Sequence, residues 1–98
     1  MTNSKAIKIL QFQIDKLKSD ASNRSYSWTN ETRAYIVDFF GEESSQNEYF
    51  RYFNTWWISA PSTGYHPSDT LEKQEENVIS FLESCISVIK NIGIAKKP

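Results

Sequence analysis

The sequence is poor in the residues that build sites and tight turns. It holds a single cysteine, Cys85, a single histidine, His66, three glycines and three prolines. One cysteine excludes an internal disulfide. One histidine and one distant cysteine fall short of the three or four ligands that an ordinary metal site needs. So few glycines and prolines leave little material for a turn-rich β architecture. None of G-x-x-x-x-G-K-[ST], G-x-G-x-x-G or G-x-S-x-G occurs, so the familiar phosphate-cradling and nucleophile-elbow loops are missing. No apolar run approaches the roughly 18–20 residues that cross a bilayer, and the start does not read as a secretory leader. The expectation is a cytoplasmic protein that makes no membrane contact. Eleven basic and 12 acidic side chains give a net charge of −1, which exerts no strong pull toward nucleic acid.

What the sequence does have is aromatic bulk. Ninety-eight residues read as one domain, spanning 1–98. A chain this short buries only about 60–65% of its unfolded surface, so its core must be efficient. Aromatics are 14% of the chain, and all but Phe12 and Phe81 lie between Tyr26 and Tyr65. The flanks supply aliphatic stripes instead. Charge is also uneven. Lys5, Lys8, Lys16, Lys18 and Arg24 make the beginning basic, whereas five acids between Glu31 and Glu48 face only Arg33.

Four helices follow from the spacing. Thr2, Asn3 or Ser4 can cap the first, and Ile7, Leu10, Ile14, Leu17 and Ala21 recur at intervals of three and four. Ile9 and Phe12 point away from that stripe and give the helix a second apolar side. SDASNRSYS (19–27) breaks the pattern. Trp28, Thr32, Tyr35, Ile36 and Phe39 then mark a second helix, with Gly41 as its stop. Ser45 stands three residues before Glu48, the spacing of a capping box, and opens a third helix whose stripe is Tyr49, Phe50, Phe53, Trp56, Trp57 and Ala60. Pro61 ends it. The last helix begins near Ser68 or Asp69. Leu71, Val78, Leu82, Cys85, Ile89 and Ile92 form its stripe, Glu75 fills the one heptad position that is not apolar, and Ile79 and Ile86 widen it. Gly93 closes it. The spacing predicts helices over about 4–21, 28–40, 46–60 and 69–92. The fold class is all-α: a compact four-helix bundle in which two long aliphatic helices flank two short aromatic-rich ones.

Trp28, Thr32, Ile36, Phe40, Gly41 and Ser44 read W-x-x-x-T-x-x-x-I-x-x-x-F-G-x-x-S, followed by the aromatic pair Tyr49-Phe50. This segment, roughly residues 5–55 with the lysine-bearing helix before it, resembles the helical N-terminal part of bacterial predicted nucleotide-binding and TIR-like proteins of the kind linked to phage defence. The resemblance implies an accessory module that positions or assembles an effector domain. No effector domain follows in these 98 residues, and no catalytic residue carries across.

Catalytic chemistry finds little support in the residues themselves. Asp69 could orient His66, but GYHPSD reads as a turn leading into a cap. Cys85 lies on an apolar stripe in the C-terminal half of its helix, where the dipole disfavours a thiolate. Glu42 and Glu43 are adjacent in a solvated turn, and Glu48 reads as a capping residue. The chain is expected to be non-enzymatic and to need no cofactor or metal.

Asn47–Trp57, NEYFRYFNTWW, is the most suggestive run. Six aromatics in nine positions cannot all face one way. Tyr52 lies off the stripe, and Trp56 and Trp57 point about 100° apart. Rings left exposed mark partner surfaces. The interface candidates are therefore Ile9, Phe12, Tyr52, Trp56, Trp57, Ile79 and Ile86. The function expected is protein interaction or oligomerisation, with another protein or a second copy as partner and a homodimer as the simplest assembly. The alternative is a small-ligand, nucleotide-like or nucleic-acid binder built on Arg51, Tyr65 and His66. Arg51 is the only cation in the aromatic run, which argues against nucleic acid.

Overall fold

The computed structural model describes residues 2–51 and 71–94, apart from the side chains of Ala21 and Leu71. The architecture is all-α. Among the described residues there are four α-helices and no strand: α1 (Asn3–Ser19), α2 (Tyr26–Phe40), α3 (Ser45–Phe50) and α4 (Leu71–Asn91). Tyr52, Trp56, Trp57, Tyr65 and His66 lie outside the described residues.

Each boundary has a local cause. Thr2 caps α1, its hydroxyl accepting from the Lys5 N–H at 3.1 Å. The helix stops at Ser19, two residues before the expected end, because Asp20 turns extended and its carboxylate accepts from the Ser22 N–H at 2.9 Å. The Lys16 carbonyl, left near the helix end, receives the Asn23 amide at 2.8 Å and the Ser19 hydroxyl at 3.1 Å. A short 3₁₀ turn, Ala21–Asn23, follows. Ser25 then caps α2 by accepting from the Trp28 N–H, so α2 starts at Tyr26, earlier than its apolar stripe suggests.

Gly41 ends α2 as expected, at φ 101° and ψ 153°, with its N–H donating to Val37 O at 2.8 Å. The cap of α3 is Ser44, not Ser45. Its hydroxyl accepts from the Asn47 N–H at 3.1 Å, while the Asn47 amide donates back to the Glu42 carbonyl at 2.8 Å. Ser45 is thus the first helical residue, and Glu48 sits in the first turn, where the helix dipole favours a carboxylate. α3 closes at Phe50 with Arg51 as its C-cap, and the rest of the segment expected as helix to Ala60 lies outside the described residues.

α1 and α4 run antiparallel. The start of α1 meets the end of α4 where the Ile94 N–H donates to Asn3 Oδ1 at 3.2 Å. At the opposite ends, Arg24 Nε lies 3.0 Å from Glu75 Oε1. Both α1 and α3 pack against α4, and both also pack against α2. Leu10, Ile14 and Leu17 of α1 meet Val78, Leu82, Cys85 and Ile89 of α4 in one core, with Trp28, Ile36 and Phe39 of α2 and Phe50 of α3. Trp28 and Phe50 are tilted at 6.4 Å between centroids, and Phe50 stacks on Phe81 at 6.0 Å.

Two stripe residues depart from expectation. Ile92 is 83% exposed because α4 ends at Asn91 and Gly93, at φ 99°, turns the chain back. Ile94 packs against the core in its place. Tyr49 is 54% exposed, with one face of its ring stacked on Phe81 at 5.1 Å.

Candidate functional site

Ile79 and Ile86, expected on a surplus face, belong to the core. α4 has neighbours on more than one side, so its buried arc is wide enough to take both flanking isoleucines. Ile9 is half-buried and packs against the core edge. Phe12 differs. It is 59% exposed on the outer face of α1, roughly opposite Leu10, and makes no contribution to the core.

The setting of Phe12 is basic. At helical spacing Lys5, Lys8 and Lys16 share its face, with Asp15 at the edge. Lys16 Nζ lies 4.8 Å from the Phe12 ring centroid, within reach of a cation–π attraction. The same ammonium donates to Glu31 Oε1 of α2 at 2.9 Å. That bond holds the Glu31 carboxyl below the usual glutamate range, against an opposing effect of burial. Phe12, Lys16 and Glu31 therefore form a row across the α1–α2 seam. Lys5, Lys8 and Lys18 are exposed and make no ion pair among the described residues.

The other side of the core is acidic. Asp38, Glu42, Glu43 and Glu48 are all exposed around the α2–α3 turn, and Tyr49 stands beside them. Arg51, a candidate for ligand contact, is exposed at the end of α3 on this same side. The structure thus brings together two groups that sequence separates poorly. One is a lysine face around Phe12, the other an acid corner around Tyr49. Sequence reasoning named Phe12 but placed Tyr49 inside. The miss is one of adjacent positions, because Tyr49 and Phe50 point about 100° apart on α3 and Phe50 takes the place in the core.

The buried polar group at the α1–α2 seam serves the fold. Gln13 Nε2 donates to Thr32 Oγ1 at 2.8 Å, and Trp28 Nε1 donates to the Gln13 carbonyl at 3.0 Å. Cys85 is buried, and desolvation pushes its thiol up to about 12. A thiol so placed stays protonated at neutral pH and is a poor nucleophile. Among the described residues no cluster of three His, Cys, Asp or Glu is placed to hold a metal ion, and no helix is long and apolar enough to cross a membrane.

No family model, no curated protein and no solved structure matches this chain.

Proposed function

We propose that the chain is a non-enzymatic helical assembly module that associates with copies of itself through the outer faces of its helices. The observation that supports this is Phe12, 59% exposed at the centre of the lysine face of α1. A single exposed ring is ordinary on a protein surface. The setting of this one is not, because the three lysines around it match an acid corner elsewhere on the same chain. Aromatic anchors ringed by charge are what contact surfaces use for affinity and orientation. The resemblance of the first half of the chain to bacterial defence proteins supplies a context, in which such a module would position or cluster an effector in the cytoplasm.

Light scattering coupled to size exclusion, over a concentration series, tests the reading. The wild-type chain should exceed its monomer mass of 11.4 kDa as concentration rises. Phe12→Ser should shift that rise to higher concentration while leaving the helical circular dichroism unchanged. A mass fixed at the monomer value throughout would sink the assembly reading.

A further inference from the structure

The two charged surfaces point to a particular geometry of assembly. We propose that copies of this chain associate head-to-tail, the lysine face around Phe12 of one copy docking on the acid corner around Tyr49 of the next. This rests on the self-assembly reading above and specifies its contact.

The first argument is charge complementarity. Lys5 and Lys8 are exposed and unmatched by any carboxylate among the described residues, and Lys16 reaches Glu31 only at one edge of the face. Glu42, Glu43 and Glu48 are exposed around the α2–α3 turn. Opposite potentials steer encounter and fix register, and like potentials suppress wrong pairings.

The second argument excludes the simpler alternative. A twofold contact through α1 would place the same face on both copies, because an isologous interface is self-complementary. Lysines of one copy would then lie against lysines of the other. An isologous contact through the acid corner fails for the same reason. A lysine face set on an acid corner pairs opposite charges, and with the two faces on different helices this contact runs head-to-tail unless one twofold brings both into the same interface.

Position makes the mixed contact feasible. α1 and α3 each pack on α2 and α4, so Phe12 and Tyr49 stand on different helices, and both rings are exposed. Each offers an aromatic ring as anchor, 59% exposed for Phe12 and 54% for Tyr49. A contact between two different patches leaves one of each free, so growth continues unless the rotation closes a ring.

Sedimentation velocity on the full chain, in about 20 mM and about 0.5 M salt, reads this directly, since screening is far stronger in the second. The wild-type chain should associate in the low-salt buffer and revert toward monomer in the high-salt one. Lys8→Glu blocks the basic face and Glu48→Lys the acid corner. Each should weaken self-association at least about tenfold. Equimolar mixing of the two should restore association, because the intact acid corner of one meets the intact lysine face of the other and the exchanged charges at positions 8 and 48 are themselves complementary. Glu43→Lys repeats the acid-corner test outside the helix, in case Glu48→Lys loosens α3.

Association that is lost with Lys8→Glu but survives both acid-corner changes would overturn the head-to-tail contact and leave the assembly reading standing. Association indifferent to salt and to every swap would do the same. A wild-type monomer under all conditions would remove both. A monomer that instead sediments with phosphatidylserine vesicles through Lys8 would assign the lysine face to a lipid surface and overturn the proposal.

Discussion

The indole N–H of Trp28 donates to the main-chain carbonyl of Gln13 at 3.0 Å, joining the first turn of α2 to the middle of α1. One turn further along α2, Thr32 accepts from the Gln13 side-chain amide at 2.8 Å. Gln13 thus uses main chain and side chain together to fix how α2 lies on α1. Its side chain and that of Thr32 are sealed from water. Helices that pack through apolar side chains alone can slide by a turn at little cost. Two bonds one turn apart remove that freedom.

The worth of this network follows from what is left behind when it is cut. Thr32→Val takes one acceptor from the Gln13 amide, which keeps its contact with the Glu31 carboxylate, and should cost about 1 kcal/mol. Gln13→Met should cost less, because the Thr32 hydroxyl can turn to a carbonyl of its own helix. The double variant Gln13→Met/Thr32→Val should recover part of the loss, since neither partner is then orphaned. Urea unfolding of the four proteins gives the coupling. Strictly additive losses would mean that the 2.8 Å bond contributes nothing to stability.

Arg24 and Glu75 close the other end of the α1–α4 pair. Their side chains are 14% and 18% exposed, so this ion pair is partly withdrawn from solvent, unlike the open Lys73–Glu76 pair. Removing one partner leaves a charge in a half-apolar setting. Arg24→Met or Glu75→Gln should each cost about 1–3 kcal/mol, at the lower end of what breaking a buried pair costs. Glu75→Leu completes the heptad stripe of α4 but orphans Arg24. Combined with Arg24→Met, it should be no less stable than either single change. Chemical denaturation midpoints decide. If Glu75→Leu alone stabilises the protein, the pair is a surface ornament and the heptad gap is the larger effect.

Much of the fold was legible because α1 and α4 show their apolar period plainly. Leu10, Ile14 and Leu17 are buried where their spacing places them, as are Val78, Leu82, Cys85 and Ile89. Glu75 was visible as an anomaly in that period, but its partner is Arg24, 51 residues away, and no local rule reaches that far. Gln13 gave no signal beyond its place beside the stripe. The site was legible only in part. Phe12 stands off the α1 stripe and is exposed, whereas Ile79 and Ile86 also stand off theirs and are buried. Phe12 lies almost opposite its stripe whereas Ile79 and Ile86 only flank theirs, and whether a flank is covered depends on where the neighbouring helices lie, which periodicity does not encode.

Gly41 shows a local rule at work. Its φ of 101° with ψ of 153° lies in a region that side-chain-bearing residues rarely enter. A Cβ built there would meet nothing within 4 Å, so space is not the obstacle. Gly41→Ala should therefore destabilise by about 1–3 kcal/mol through backbone strain alone. A D-alanine introduced by chemical synthesis, which favours positive φ, should recover most of that loss. Equal stability of the L and D variants would show that the turn between α2 and α3 relaxes instead.

Cys85 carries the clearest pH dependence. In the unfolded chain its thiol titrates near the ordinary value of 9.0, whereas burial raises it to about 12 in the folded protein. Between those values the unfolded state has lost a proton that the native state keeps. Stability from this residue is complete below pH 9.0 and is lost as pH rises toward about 12. The slope is at most ~1.4 kcal/mol per pH unit for one group. The reading is taken as a difference between wild type and a Cys85 variant, so that every other group cancels. Cys85→Ala costs about 1–2 kcal/mol at neutral pH by opening a small cavity. Its deficit against wild type should shrink steadily above pH 9.0, because the variant has no thiol to ionise. Guanidinium unfolding of both proteins at several alkaline pH values measures that shrinkage. Thiol labelling at pH 8 gives an independent check, since native Cys85 should react only as fast as the core opens, and faster as urea is added. A native thiol that labels at the rate of a free cysteine would show that α4 does not hold Cys85 against α1.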